Sequence, residues 1–366
     1  TNIFYTFLFF HFINQFFLGY LTNYFFYTLI FYSLFMNTQA QFFQRLKPTI
    51  PAFSSLAAEV AATLKVSMDS AYRRIRGEKL LDFNEISLLC QEFNISMDEF
   101  LSIKTDSILF KSASSLPKED ALAHWMVEMI KQLYYINSYP KRHLYFLIKD
   151  LPPFHHFFHP VLACFKFFFW TKSILPPGQS QLEKFCLETK QLATYKKLSQ
   201  RILHAYLKVP STEIWNKDTL NTTLRQIETY HEMGLIQDGQ TTKEIYTSLL
   251  EVVDHLEKMA ANGQKSEMGQ TPHAEYGEYR LYQNDIISGD NTLLAEIGEA
   301  KITYLNHSVL YFVGSTDKGF NEEVYGNLKN LIRRSSLVSG TGEKERTQVF
   351  NKLRRKVQAK LDALET

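Results

Sequence analysis

The 366-residue sequence holds only three cysteines, Cys90, Cys164 and Cys186, and none of them shares a CxxC or other ligand spacing. That excludes a disulfide scaffold and a cysteine-rich zinc module, and it suits a reducing compartment. Glycine (15) and proline (11) are too sparse for a collagenous or low-complexity chain. No charge of one sign prevails, since 40 basic and 38 acidic residues leave a formal net charge of +2. Polybasic tails and acidic solvating chains are thereby excluded. The length suits one large domain or two to three modest ones, each able to bury a core.

Charge is missing altogether from the first 44 residues, and Arg45 is the first charged side chain. Residues 1–35 contain 11 Phe and 5 Tyr but no Val, Ala, Met, Pro, Asp, Glu, Lys or Arg. A bilayer span needs about 20 apolar residues, yet Asn2, Asn14, Gln15 and Asn23 interrupt this stretch and no basic flank anchors it. A secretory signal would need a basic start and a small-residue cleavage site, and both are lacking. The vocabulary is that of T- and A-rich codons. The expectation is therefore translation of an upstream tract, with a working protein that begins at Met36 and stays in the cytoplasm. Were the segment native, the chain would read as membrane-anchored.

What is present is mostly helical patterning. Phe42, Phe43 and Leu46 form one apolar stripe before Pro48 and Pro51 break the run. Ser54 or Ser55 caps a helix carrying Leu56, Val60 and Leu64, and Ser67 caps a second helix, 68–76, that ends at Gly77. Asp82 or Asn84 opens a third helix through Phe93, and Ser96 caps a fourth over 97–101. Residues 105–119 read as a linker, 120–262 as a helical effector or dimerisation region, and 262–277 as a loop. From 276 to 366 an α+β region is expected. Its stretches 279–282, 292–297, 301–306 and 309–313 predict an antiparallel meander, followed by helices over 321–338 and 343–363. The fold class is mainly α, with a helix-turn-helix bundle at 36–104 and a small α+β C-terminal region.

The most informative stretch is 54–101, where two short helices flank the three-residue turn Lys65-Val66-Ser67. Ala57, Ala61 and Ala62 are small enough for a steep crossing, Val66 plugs the turn, and Ala71 and Ile75 face inward. The outer face of the second helix keeps Met68, Asp69, Tyr72, Arg73 and Arg76. Residues 65–79 hold five basic side chains (Lys65, Arg73, Arg74, Arg76, Lys79) against two acidic ones, whereas 45–104 balances at eight to eight. Only this segment concentrates positive charge as duplex binding requires.

Four runs carry a family likeness: Leu56-Ala57-Ala58-Glu59-Val60, Val66-Ser67, Ala71-Tyr72-Arg73-Arg74-Ile75-Arg76-Gly77-Glu78, and Asn94-Ile95-Ser96-Met97-Asp98-Glu99-Phe100-Leu101. Together they resemble the Cro/repressor-type helix-turn-helix family, in particular long transcription regulators with a BetR-like N-terminal domain. The resemblance covers about 50 residues. It implies double-stranded DNA as partner, a homodimer on a near-palindromic site, and a recognition helix in the major groove. The implied contact set is Lys65, Ser67, Met68, Asp69, Tyr72, Arg73, Arg74, Arg76 and Lys79. Met68, Asp69 and Tyr72 would touch bases, Arg73 or Arg76 would read guanine, and Lys65, Arg74 and Lys79 would meet phosphates. Arg74 departs from the family pattern, which places an apolar residue there. An unidentified small-molecule or protein effector would act on the remainder.

Weaker candidates are His155, His156 and His159, where the i, i+4 pair suits a metal but no HExxH is completed. Ten aromatics in 145–170 suggest a buried core ahead of a hydrophobic ligand pocket. The loop from Ser339 resembles a phosphate loop superficially, and Gly314 lacks the second glycine of a nucleophile elbow. Arg333, Arg334, Lys352, Arg354, Arg355, Lys356 and Lys360 form a basic C-terminal face. No catalytic set stands out, so neither an enzyme nor a cofactor or metal site is expected. The alternative is a helical module that binds protein.

Overall fold

The computed structural model describes residues 38–47, 50, 54–93, 95–101, 108–112, 120–174, 184–187, 192–286, 291–306 and 312–365. The chain divides into two compact units, Thr1–Ser107 and Ile108–Thr366. Residues 1–35 and most of the 105–119 linker lie outside the described residues. Among the described residues no helix is long and apolar enough to cross a membrane.

Among the described residues the N-terminal unit contains five helices, α1 (38–46), α2 (Leu56–Leu64), α3 (Met68–Ile75), α4 (Phe83–Glu92) and α5 (Met97–Leu101). The starts of α2, α3 and α4 have local causes. The Ser55 hydroxyl accepts from the Ala58 N–H, the Ser67 hydroxyl from the Ser70 N–H, and Asp82 forms a reciprocal capping box with Glu85. Helix α2 ends because Lys65 turns left-handed (φ 53°), which lets the Lys65 and Val66 N–H groups return to the carbonyls of Ala62 and Ala61. The core is small. Phe42, Phe43, Leu46, Val60, Ala61, Ala71 and Leu89 are buried, with Leu56, Val66, Ile75 and Phe100 packed against them.

The C-terminal unit is built on an eight-stranded mixed sheet of order β1-β7-β6-β5-β2-β3-β4-β8. In chain order the strands and helices are β1 (Lys111–Ser112), α6 (Ala121–Asn137), β2 (Arg142–Leu147), α7 (Pro153–His156), α8 (Pro160–Ile174), α9 (Leu192–Leu207) and β3 (Ser211–Trp215). They continue with α10 (Asn221–Glu232), α11 (Gly239–Asn262), β4 (Tyr279–Gln283), β5 (Thr292–Ile297), β6 (Ala300–Asn306), β7 (Phe312–Ser315), α12 (Lys318–Arg333), β8 (Ser336–Leu337) and α13 (Glu343–Ala363). The whole is predominantly helical with an α+β part.

Two expectations need correction here. Residues 120–262 are not helical throughout, because β2 and β3 lie inside them and share one sheet with the C-terminal strands. Residues 279–283 do not open an antiparallel meander. β4 runs parallel to β3, β3 runs parallel to β2, and only β5, β6 and β7 pair antiparallel in succession. Parallel neighbours require long crossovers, and α7–α9 and α10–α11 provide them.

Period-two alternation assigns the two faces of the sheet. Leu144, Phe146, Trp215, Tyr279 and Leu281 point into the large core shared with α6, α8, α9, α11 and α13. Tyr145, Ile214 and Leu294 point the other way and meet Leu328 and Leu331 of α12. One face therefore carries nearly all the helices, and the other carries α12.

Candidate nucleic-acid interface

The turn 65–67 brings α3 across α2 with one side of α3 facing the core. Ala71 is fully buried on that side, and Met68 (44% exposed) and Tyr72 (46%) stand outside. Lys65, Ser67, Asp69, Arg73, Arg76 and Lys79 are exposed as well. Eight of the nine residues expected to contact DNA are thus exposed, at the turn, on α3 or just beyond it.

Arg74 is the exception and a correction. It is 2% exposed, and its guanidinium forks onto Glu85 of α4, with Nε donating to Oε2 at 3.0 Å and Nη2 to Oε1. Nη1 also donates to the Ser70 carbonyl and hydroxyl at 3.1 and 2.5 Å. The hydrogen bond to Glu85 raises the Arg74 pKa, and the bond from Arg74 lowers that of Glu85. Arg74 is no phosphate contact. It fills the position where the resembled pattern has an apolar residue, and Glu85 satisfies its charge.

Three partners escaped the sequence reading. Glu85 is one. Gln39 of α1 is the second, donating to the carbonyls of Arg74 (2.7 Å) and Lys79 (2.9 Å) and accepting from the Leu81 N–H (2.9 Å). It pins the chain leaving α3. The third is Glu78, which accepts from Arg76 Nε at 2.7 Å and lies 3.8 Å from Arg73 Nε. All three of these side chains are about half exposed, and exposed pairs contribute only about 0–1 kcal/mol. A phosphate or guanine edge can displace Glu78 at little cost.

The histidines have structural partners. His155 and His156 are buried. His155 Nε2 lies 2.9 Å from Glu213 Oε2, and His156 Nε2 lies 3.1 Å from the Thr223 hydroxyl. His159 sits 3.3 Å from Glu251. Among the described residues no group of three or more His, Cys, Asp or Glu side chains is placed to hold a metal. Glu213, itself fully buried, also accepts from the Tyr206 hydroxyl, the Trp215 indole and the Tyr279 hydroxyl at 2.9, 2.9 and 3.2 Å. Burial opposes its charge, but His155, Tyr206 and Lys265 together hold its pKa below the usual range. Sealed from solvent, this carboxylate ties β3 to its neighbours.

The aromatics of 145–170 interlock in the core, with Phe154 stacked on Tyr206 at 4.4 Å and Phe157 edge-on to Trp170 at 6.0 Å. Ser339 accepts from the Leu281 N–H and the Gly340 N–H donates to the Ala260 carbonyl, so this loop fastens α13 to β4 and α11. The C-terminal basic face is also largely engaged. Arg354 pairs with Asp254 and Glu257, Lys360 with Glu228, and Lys356 donates to the Lys217 carbonyl and Asn221. No family profile, no curated protein and no solved structure matches this chain.

Proposed function

We propose that this chain is a sequence-specific DNA-binding transcription regulator that lays α3 in the major groove. The observation that carries the reading is the outer side of α3. Met68 and Tyr72 are left exposed there beside Arg73 and Arg76, with Lys65 and Lys79 at either end. Standing beside two arginines, an exposed methionine and tyrosine suit base edges and thymine methyl groups in a groove.

In this reading Arg73 or Arg76 leaves Glu78 to grip guanine O6 and N7, a bidentate contact that discriminates by about 1–3 kcal/mol. Lys65 and Lys79 neutralise phosphates and set the register. Ser67 keeps its capping role, so its contribution is the orientation of the helix start. The Cro/repressor-type resemblance adds a homodimer, with one reading head per half-site. Selection of duplexes from a random pool tests this. The parent protein enriches one site, and the Arg73→Ala/Arg76→Ala variant enriches none. If the double variant selects the same site as the parent, α3 is not the reader.

A second reading, a protein-binding helical module, is favoured by Leu80 (72% exposed), Phe83 (84%) and Leu88 (47%). Such an interface would respond little to salt, which separates it from phosphate-driven binding.

A further inference from the structure

The two faces of the C-terminal sheet are covered unequally, and the difference opens a cleft. Helix α12 packs over β5 and β6. Beside it, above β2, β3 and β4, lies a cavity of about 130 Å³ lined by His143, Tyr145, Thr212, Arg280, Tyr282 and Lys329 among others. Its size is close to that of an engineered cavity of roughly 150 Å³ that admits benzene, and it opens to solvent on one side.

The lining is cationic with incomplete compensation. Lys329 has no hydrogen bond or ion pair among the described residues. Its ammonium stands 5.1 Å from the ring centre of Tyr145 and 5.2 Å from that of Tyr325. Arg280 gives its Nε to Glu278 at 2.7 Å, and its two terminal nitrogens have no partner among the described residues. Among the described residues Glu278 is the only carboxylate in the lining, and Glu296 stands next to the lining in the sheet, accepting from the Tyr145 hydroxyl at 3.4 Å. His143 adds a neutral polar group, its Nε2 2.8 Å from the Thr212 hydroxyl. Burial first, then Lys265, Arg280 and Lys329, push its pKa down to about 3. Arg280, paired with Glu278, and Lys329 line one concave site and leave its lining with a positive charge in excess. Such a site concentrates anions.

We propose that this cleft binds a small oxyanion, the carboxylate or phosphate group of a molecule with few carbon atoms. The free fork of Arg280 and the ammonium of Lys329 hold two of its oxygens, Thr212 offers a hydroxyl, and the rings of Tyr145 and Tyr282 flank the rest. The inference stands apart from the DNA-binding reading, since it uses only the C-terminal unit and a direct binding readout.

The test is calorimetric titration of the full chain with inorganic phosphate and, separately, with benzoate, against chloride at equal ionic strength. At least one of the two binds saturably at one site per chain with a Kd of about 1 mM or tighter. Phosphate alone identifies a phosphate site, and benzoate alone a carboxylate site. Arg280→Gln/Lys329→Gln weakens that binding roughly tenfold or more while the circular dichroism spectrum is retained. Glu278→Gln, which removes the competing carboxylate, tightens it. Saturable binding of neither anion, or equal binding by the parent and both variants, overturns the proposal.

Discussion

Arg73 and Arg74 are adjacent in sequence and opposite in environment. Arg73 reaches solvent, while Arg74 is buried against Glu85 and Ser70. Removing one member of a buried pair strands the other, at a cost of several kcal/mol. Arg74→Ala is expected to destabilise the N-terminal unit by roughly 3 kcal/mol in urea unfolding. Arg73→Ala/Arg76→Ala costs less than about 1 kcal/mol, because those arginines pair only on the surface. Arg74→Leu combined with Glu85→Gln recovers most of the loss, since it removes both charges together. The pair also carries a pH signature. The hydrogen bond from Arg74 lowers the folded pKa of Glu85 below 4.5. Its stabilisation is therefore fully present above about pH 4.5 and is lost as the pH falls through the depressed folded value. Acid titration of the unfolding free energy checks this, and Glu85→Gln flattens the slope in that window.

At the scale of elements, the N-terminal unit was the more legible of the two. Ser55, Ser67 and Asp82 announce α2, α3 and α4 because a cap is a local interaction, decided within four residues. The inward turn of Arg74 is legible only as its place at an apolar position of the resembled pattern, since its partner Glu85 sits eleven residues away on another helix. In the C-terminal unit β2 and β3 stayed hidden for a different reason. A strand buried on both faces does not alternate, and in β3 the buried residues include Thr212 and Glu213. No periodicity marks a strand whose buried polar groups are satisfied by distant donors such as His155 and Tyr279. The polar composition of 262–277 marks a loop but does not show how it is anchored. Lys265 is buried, donating to the carbonyls of Tyr206 and Val209, and the Gly277 N–H donates to the Leu207 carbonyl at 2.7 Å. A Cβ on Gly277 would lie 2.4 Å from the Pro210 nitrogen and 2.5 Å from the Val209 carbonyl carbon. Gly277→Ala is therefore expected to lower stability by about 1–3 kcal/mol, seen as a lower melting temperature of the chain.

For the molecule as a whole, a net charge of +2 gives no hint of a polyanionic partner. Within 45–104, five of the eight basic side chains lie in 65–79, at the turn, on α3 and just beyond it. DNA affinity should therefore come from a few phosphate contacts and should depend strongly on which duplex is offered. The candidate oxyanion cleft belongs to the other unit and was invisible in the sequence. His143, Thr212, Arg280 and Lys329 are separated by long stretches of chain, and only the pairing of β2, β3 and β4 beside α12 gathers them. The most direct test of the central claim is fluorescence anisotropy of the protein with duplex DNA from upstream of its own gene, titrated across salt beside a scrambled duplex. Lys65 and Lys79 on phosphates, two per protomer and four per dimer, predict that log affinity falls against log salt with a slope of about −2 to −4, with the upstream duplex preferred and the preference lost in Arg73→Ala/Arg76→Ala. No binding to either duplex at low salt, or salt-insensitive binding, would contradict a recognition role for α3.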